Sequence, residues 1–429
     1  MAISVSFKII ITFESIKRAS LKSQKILNDP VYGFITIPSE LIFEIIDHPF
    51  FQRLRRIKQL GLTDFVYPGA LHTRFHHALG AMHLMSITLD NLRIKGNEIS
   101  DHEYEASLIA ILLHDIGHGP FSHALEYTLL QGVPHESLSL LTIEFLNQQL
   151  GGKLELALRI FKNQYERKFF HQLVSSQLDI DRLDYLQRDC FFTGVSEGTI
   201  GADRIIKMMD VKDDQVVIEE KGIYSIENFL SARRLMYWQV YLHKTTVSAE
   251  KMLINLINRA KFLRQAGQKF TISDEFDFFL KNELTLKDFE TSPELLPKFL
   301  ELDDLDIWGA VKLWKNHPDY VLRNISQMFL TRNLFKINLR NESFSTQQIE
   351  KIREKTKQKL NVPEEDIDFF FSHGFVSNYG YVMEDRINIL TKKGKVIDVA
   401  QAADLPNIKV MSKIVEKHYI CKAKSVILN

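Results

Sequence analysis

Cysteine is nearly absent from this chain. Its two cysteines, Cys190 and Cys421, exclude a disulfide framework and a cysteine-ligated zinc module, and a reducing cytoplasm is the expected setting. No uninterrupted apolar run reaches the ~18 residues that suggest a membrane-spanning helix, so none is expected. Charge of one sign is also missing: 54 basic residues balance 54 acidic ones, which argues against a general nucleic-acid binder working through bulk charge. Any anionic ligand must then be held by a local cluster of basic side chains. The opening segment through Phe7–Phe13 has a short apolar core but no small-residue cleavage site, and reads poorly as a signal peptide. What is left is an ordinary globular composition, 45% hydrophobic and 25% charged over 429 residues. That length holds one large domain with a smaller appendage, or a few ordinary domains.

The pattern along the chain is mainly α. Residues 24–37 alternate and carry Asn28-Asp29-Pro30 and Gly33, which predicts a short hairpin. Pro38-Ser39-Glu40 opens a helix that Asp47-His48-Pro49 ends, and a second helix is expected to run to Gly61 as its C-cap. Helical periodicity then dominates to about residue 265, interrupted by a hairpin expected around Gln215–Ser225. Residues 270–306 read as acidic and helical, Leu334–Leu339 alternates, Thr346–Leu360 is a charged helix, and Ile387–Val399 reads as a hairpin turning at Lys393-Gly394. The expected organisation is an α-helical catalytic body with short β-hairpins over residues 1–270. A helical extension and a small α+β C-terminal lobe follow over residues 271–429.

Chemistry concentrates in His114-Asp115-Ile116-Gly117-His118-Gly119-Pro120-Phe121-Ser122-His123, which follows the nearly continuous apolar run Ala106–Leu113. A His-Asp pair placed there without a partner would cost roughly 1–3 kcal/mol per unpaired polar group, and a divalent cation removes that cost. The glycines and Pro120 then break the helix and leave room for a substrate. Six of the fifteen histidines fall in two tight groups, His72, His76, His77 and His114, His118, His123. His77, His114, Asp115 and Asp181 together make a mixed nitrogen and oxygen set suited to Mn, Mg, Fe, Ni or Zn, with positions open for water and substrate.

This ordered series resembles the HD superfamily of metal-dependent phosphohydrolases. More narrowly it is similar to the dNTP triphosphohydrolases, a group with eukaryotic SAM-and-HD-domain members and bacterial dGTPase relatives. The matching text is Phe51–Gly61, Tyr67–Ala70, His72–Gly80, His114–His123, Asp179–Tyr185 with Arg188-Asp189, and Arg332–Lys336. It covers about residues 24–245 plus that last short element. No SAM domain is expected, since the catalytic body begins almost at once.

The resemblance implies an HD-domain fold and water attack on the α-phosphorus of a dNTP, releasing deoxynucleoside and intact triphosphate. It implies His77, His114, Asp115 and Asp181 as ligands of a divalent metal. His123 and His135 are then the proton-transfer candidates, with Glu126 expected to orient His123, Glu136 following His135, and Arg74 one helical turn before His77. Eukaryotic members carry Asp where Glu126 stands, whereas bacterial dGTPases carry Glu. Substrate contacts carry over to Gln59, Leu60, Arg74, His118, Arg182, Tyr185, Asp189, Arg233 and Tyr241. Arg182 stands where a eukaryotic member has lysine, which turns a point charge into a fork. Tyr241 packed under the 2′ carbon would reject a ribose hydroxyl.

A second set, Lys25, Ile26, Asp47, Gln52, Arg55, Arg332 and Lys336, matches an inter-subunit regulatory nucleotide pocket and implies a homo-oligomer, dimer or tetramer. Glu219 departs from the basic residue a eukaryotic member has beside that pocket, while Lys221 is kept. Competing readings are an HD phosphodiesterase, a single-strand 3′ nuclease, and a non-catalytic nucleotide- or RNA-binding module. A di-iron HD oxygenase would need further carboxylate and histidine ligands and would leave the arginines superfluous. No membrane partner is expected.

Overall fold

The computed structural model describes residues 25–121, 124–130, 132–378, 381, 385–403 and 414–425. A β-hairpin opens them, β1 (Lys25–Asp29) antiparallel to β2 (Gly33–Ile37), as the alternation predicts. Ser39 then caps α1 (Glu40–Asp47), its hydroxyl accepting from the Ile42 amide. Here the first difference from expectation appears. The second helix, α2 (Pro49–Gln52), gives way to a 3-10 turn ending at Arg56 and never reaches Gly61. Ile57 is extended instead, because Lys58 bridges Thr73 and the Arg74 amide donates to the Ile57 carbonyl; Gly61 opens a further 3-10 turn.

Two long helices form the centre: α3 (Arg74–Ile94) and α4 (Asp101–Leu113). Both are apolar over most of their circumference, so both are enclosed. Around them stand α6 (His135–Gln149), α7 (Glu155–Phe161), α8 (Lys168–Val174), α9 (Ile180–Thr193) and α10 (Ala202–Met208), while the short α5 (Glu126–Leu129) packs on the later helix Lys244–Gln265. α3 packs on both α4 and α9, which brings His77, the end of α4 and Asp181 together. The next hairpin, β3 (Met209–Lys212) with β4 (Gln215–Glu219), turns at Asp213-Asp214, earlier than expected; by Ser225 the chain is already in α11 (Ile223–Met236). A π-helical turn (Tyr237–Tyr241) leads to α12 (Lys244–Gln265).

The extension carries α13 (Asp274–Lys281), α14 (Leu286–Thr291), α15 (Leu295–Phe299), α16 (Asp304–Trp314) and α17 (Tyr320–Leu330). After β5 (Lys336–Arg340) and α18 (Thr346–Leu360) come β6 (Phe371–Asn378), β7 (Asn388–Leu390), β8 (Val396–Asp398), α19 (Val399–Ala402) and β9 (Val415–Lys422). β5, β9 and β6 form an antiparallel sheet. The β7–β8 hairpin instead crosses back and joins β4 in parallel, giving the order β3-β4-β7-β8. The fold is mainly α with small sheets. One core is built on α3, α4 and α9; a second gathers α12 to α17, β9 and the Leu125–Leu138 segment. Among the described residues no helix is long and apolar enough to cross a membrane.

Candidate metal centre and catalytic cleft

α4 is started by a reciprocal cap: Glu103 N–H donates to Ser100 Oγ, and Ser100 N–H to Glu103 Oε2. The helix ends at Leu113, so His114 and Asp115 lie on the turn directly after it. His77 Nε2 lies 3.0 Å from Asp181 Oδ1, 3.4 Å from His114 Nε2 and 3.8 Å from Asp115 Oδ2. His114 Nε2 lies 3.3 Å from Asp181 Oδ1 and 3.4 Å from Asp115 Oδ1. Four side chains from three separate segments thus aim their ligand atoms at one point.

Both imidazoles are fixed from behind. His77 Nδ1 donates to Asp184 at 2.7 Å and His114 Nδ1 to the Ile111 carbonyl at 2.6 Å, leaving both Nε2 atoms facing inward. Asp184 is in turn gripped by Arg188 at 2.9 and 3.0 Å, and Arg188 reaches Asp29 at 2.7 Å. This chain is wholly buried. Close helix approach permits it, because a Cβ on Gly80 would sit 2.0 Å from Arg188 Nη2 and 2.1 Å from Asp184 Oδ1. Burial opposes protonation of His77, but its bonds to Asp181 and Asp184 outweigh that and push the imidazole up to about 10. Burial likewise opposes ionisation of Asp181, yet His114 and His77 hold it well below the carboxylate range. His77, His114 and Asp181 form a group that could hold a divalent cation, with Asp115 beside it at 3.4 Å from His114 and 3.8 Å from His77.

Beside this centre His118 and His135 stack with ring centroids 3.7 Å apart, and His118 Nε2 lies 3.3 Å from Asp115 Oδ1. Burial and the Arg74 charge hold His118 well below the usual imidazole value. Arg74 pairs with Asp115. Glu126 Oε1 lies 2.9 Å from His135 Nδ1 and accepts the His135 amide at 2.8 Å, so Glu126 orients His135. Glu136 lies 3.4 Å from His135 Nε2. His123 itself falls outside the described residues.

The basic and aromatic residues line up along the other side. Arg233 is 4% exposed, and among the described residues its Nε and Nη1 have no hydrogen-bond partner; Arg182 Nε is likewise buried and unpartnered there. Arg182 also pairs with Asp179, the N-cap of α9. Burial raises the Tyr185 phenol well above its usual value, the neighbouring Tyr237 adds to this, and Arg182 and Arg233 pull against it. Tyr241 stands edge-on to Tyr185 at 6.1 Å and donates to Asp189 at 2.7 Å. His72 binds the other Asp189 oxygen at 2.7 Å and stacks on Phe192. Gln59 Oε1 is buried without a partner among the described residues, the Gln59 backbone N–H donates to the His72 carbonyl, and Leu60 packs against the first core.

The second set is spread more widely. Arg55 donates to Gln52 at 2.8 Å, Gln52 to the Ile46 carbonyl, and Arg55 lies over the Phe75 ring. Lys25 lies over Phe43, Ile26 is 55% exposed on β1, and Asp47 is exposed at the end of α1. Arg332 binds the Phe65 carbonyl, and Lys336 is exposed across from Lys422. Glu219 is held between Lys95 at 2.6 Å and Lys221 at 2.7 Å, so it engages the one basic residue kept there. Sequence reasoning assigned no roles to Asp184, Arg188, Asp29, His72 or Tyr237. Asp184 was findable, standing one helical turn after Asp181 with Arg188 a turn further; its link to Asp29 was not.

Comparison with known proteins follows this geometry. An HD domain model matches residues 74–189, which contain all four candidate ligands, and an HD associated region matches residues 200–281. An uncharacterized Bacillus subtilis protein, YwfO, is 37% identical over 74% of this chain and 72% of its own length. A Dictyostelium discoideum homolog of the deoxynucleoside triphosphate triphosphohydrolase SAMHD1 is 32% identical over 64% of this chain, and human SAMHD1 27% identical over 88%. The chain spans 57% and 66% of the lengths of those two enzymes. A solved phosphohydrolase from Bacteroides thetaiotaomicron superposes with a TM-score of 0.90 at 51% identity, covering 94% of this chain and 100% of that one.

Proposed function

This chain belongs to the HD-domain phosphohydrolases, and from that premise we propose that its cleft hydrolyses deoxynucleoside triphosphates to deoxynucleoside and inorganic triphosphate. One observation carries the reading beyond generic phosphohydrolysis. Arg233 Nε and Nη1 and Arg182 Nε are buried without a hydrogen-bond partner among the described residues, and both arginines lie close enough to act on Tyr185, which also feels the charge of Asp181. Unpaired buried donors are disfavoured unless a ligand accepts from them, and a polyphosphate tail is that acceptor.

His77, His114, Asp115 and Asp181 would hold the divalent cation, which when bound supplies Lewis acidity at the α-phosphate. Water adds to the α-phosphorus, the bond from that phosphorus to the sugar 5′ oxygen breaks, and a proton must reach the departing oxygen. His135 suits that transfer, since Glu126 fixes its Nδ1 and its ring stacks on His118 beside Asp115. His123 is the second candidate by resemblance. Arg74, His118, Arg182, Tyr185 and Arg233 hold the phosphates. Gln59, Leu60, Asp189 and Tyr241 face sugar and base, with Tyr241 restrained by Asp189 against the 2′ position. Lys25, Ile26, Asp47, Gln52, Arg55, Arg332 and Lys336 form a regulatory nucleotide pocket completed by a second copy of the chain.

The test compares wild type with the His114→Ala/Asp115→Ala double variant on each dNTP, single-stranded DNA and a cyclic dinucleotide, with Mn²⁺ or Mg²⁺ added. Wild type should release triphosphate from at least one dNTP. The double variant should release none and, by elemental analysis, carry no metal, because removing ligands dismantles the site. Turnover of the phosphodiesters alone would contradict the proposal.

A further inference from the structure

The helical extension reaches the catalytic loop through one buried carboxylate. Asp304, first residue of α16, is 3% exposed. Its Oδ1 accepts the Phe121 amide at 2.8 Å and its Oδ2 the Lys58 amide at 2.9 Å. Phe121 closes the loop that carries His114, Asp115 and His118, and it does so at φ +51°, a left-handed conformation that a bulky residue keeps only when its surroundings impose it. Lys58 belongs to the short bridge in which residues 57–59 pair with residues 72–74, so it is tied to Gln59 on one side and to His72 and Arg74 on the other.

We propose that Asp304 is a positioning residue for the active site, its two oxygens clamping the Gln59/His72/Arg74 wall of the cleft to the exit of the metal-binding loop. Neighbouring contacts run along the same seam. Buried Arg53 donates to the Leu302 carbonyl at 2.6 Å and to the Ile116 carbonyl, inside the loop, at 3.5 Å. Arg56 pairs with Asp303. Asp304 differs from these in meeting both cleft segments with one group. Burial pushes its carboxyl up to about 6, against the pull of the Lys58 and Phe121 amides, so the fold tolerates an awkward charge here. Perturbed buried acids of this kind cluster at functional sites.

The proposal rests on the reading of this cleft as the dNTP-hydrolysing site. Asp304→Asn keeps the shape but offers only one accepting oxygen to two amides. It should lower kcat about 10- to 100-fold, the scale set by small misplacements of catalytic groups, while metal content by elemental analysis stays at the wild-type level. Hydrogen exchange should quicken in the 114–121 and 57–60 segments. Asp303→Ala, which removes only the side-chain cap of α16 and the Arg56 pair, should lower Tm with kcat unchanged. If Asp304→Asn does not fold, Asp304→Glu, which keeps the charge at the wrong reach, should show the same kcat-specific loss. Wild-type kcat in a folded Asp304 variant, whatever its Tm, would reduce the residue to a structural cap. Wild type inactive on every dNTP would sink the substrate reading instead, and the exchange rates would still decide whether the clamp exists.

Discussion

At the scale of single residues, the candidate ligands stood out in the sequence and the groups behind them did not. His114-Asp115 announces itself by standing after an apolar run, where a polar pair needs a partner. Asp184 looks like any helical acid until Arg188, Asp29 and His77 are seen to converge on one buried network. Glu126 shows a contact that spacing did not reveal: three residues from His123 in sequence, it reaches His135, because the chain between α5 and α6 folds back. Asp184→Asn should therefore fold but hold its metal about 10- to 100-fold more weakly, the usual scale for losing a partner behind a ligating histidine. Competition with a chelator measures this. Unchanged affinity would mean that the Ile111 carbonyl and helix packing alone fix the ligand geometry.

At the scale of elements, capping signals were the most legible. Ser39 opens α1 where the sequence places it, and α18 runs over Thr346–Leu360 as expected; Ser100 with Glu103 and Ser345 cap α4 and α18 in the same way. Glycine misled at Gly61, expected as a helix C-cap but found opening a 3-10 turn. Gly222 is a packing glycine, since a Cβ there would lie 2.7 Å from Ile218 and 2.9 Å from Met208. The β3–β4 turn is made by Asp213-Asp214, both at positive φ without a glycine. The cap of α4 offers a pH test. Burial would raise the Glu103 carboxyl, but bonds from the Ser100 amide and hydroxyl, Arg167 and Tyr165 bring it down to about 2. A carboxyl depressed on folding stabilises above its unfolded value near 4.5 and loses that contribution as pH falls through about 2. Glu103→Gln should thus lose about 1–3 kcal/mol at neutral pH, with the gap to wild type closing as pH falls through that window. A gap independent of pH, in denaturant titrations at several pH values, would assign the effect to packing.

At the scale of the molecule, sequence patterning finds local hairpins but not the parallel pairing of β7 with β4, made across about 170 residues of chain. That pairing returns the C-terminal region to the catalytic body, where the Tyr381 hydroxyl donates to Asp398 at 2.5 Å under the β7–β8 hairpin. The proposed regulatory residues likewise come from both ends of the described chain, and a nucleotide bridging two copies must favour assembly by linkage. One dNTP should then stimulate hydrolysis of another, and Arg55→Ala should lose that stimulation in mixed-nucleotide kinetics; equal stimulation in the variant would leave Arg55 as a solvated helix face. The central claim is attack at the α-phosphorus within this cleft. Its most direct test is turnover of a dNTP in ¹⁸O-water with products resolved by mass spectrometry. The expected result is unlabelled deoxynucleoside with one ¹⁸O in intact triphosphate, and pyrophosphate with deoxynucleoside monophosphate as the only products would contradict it.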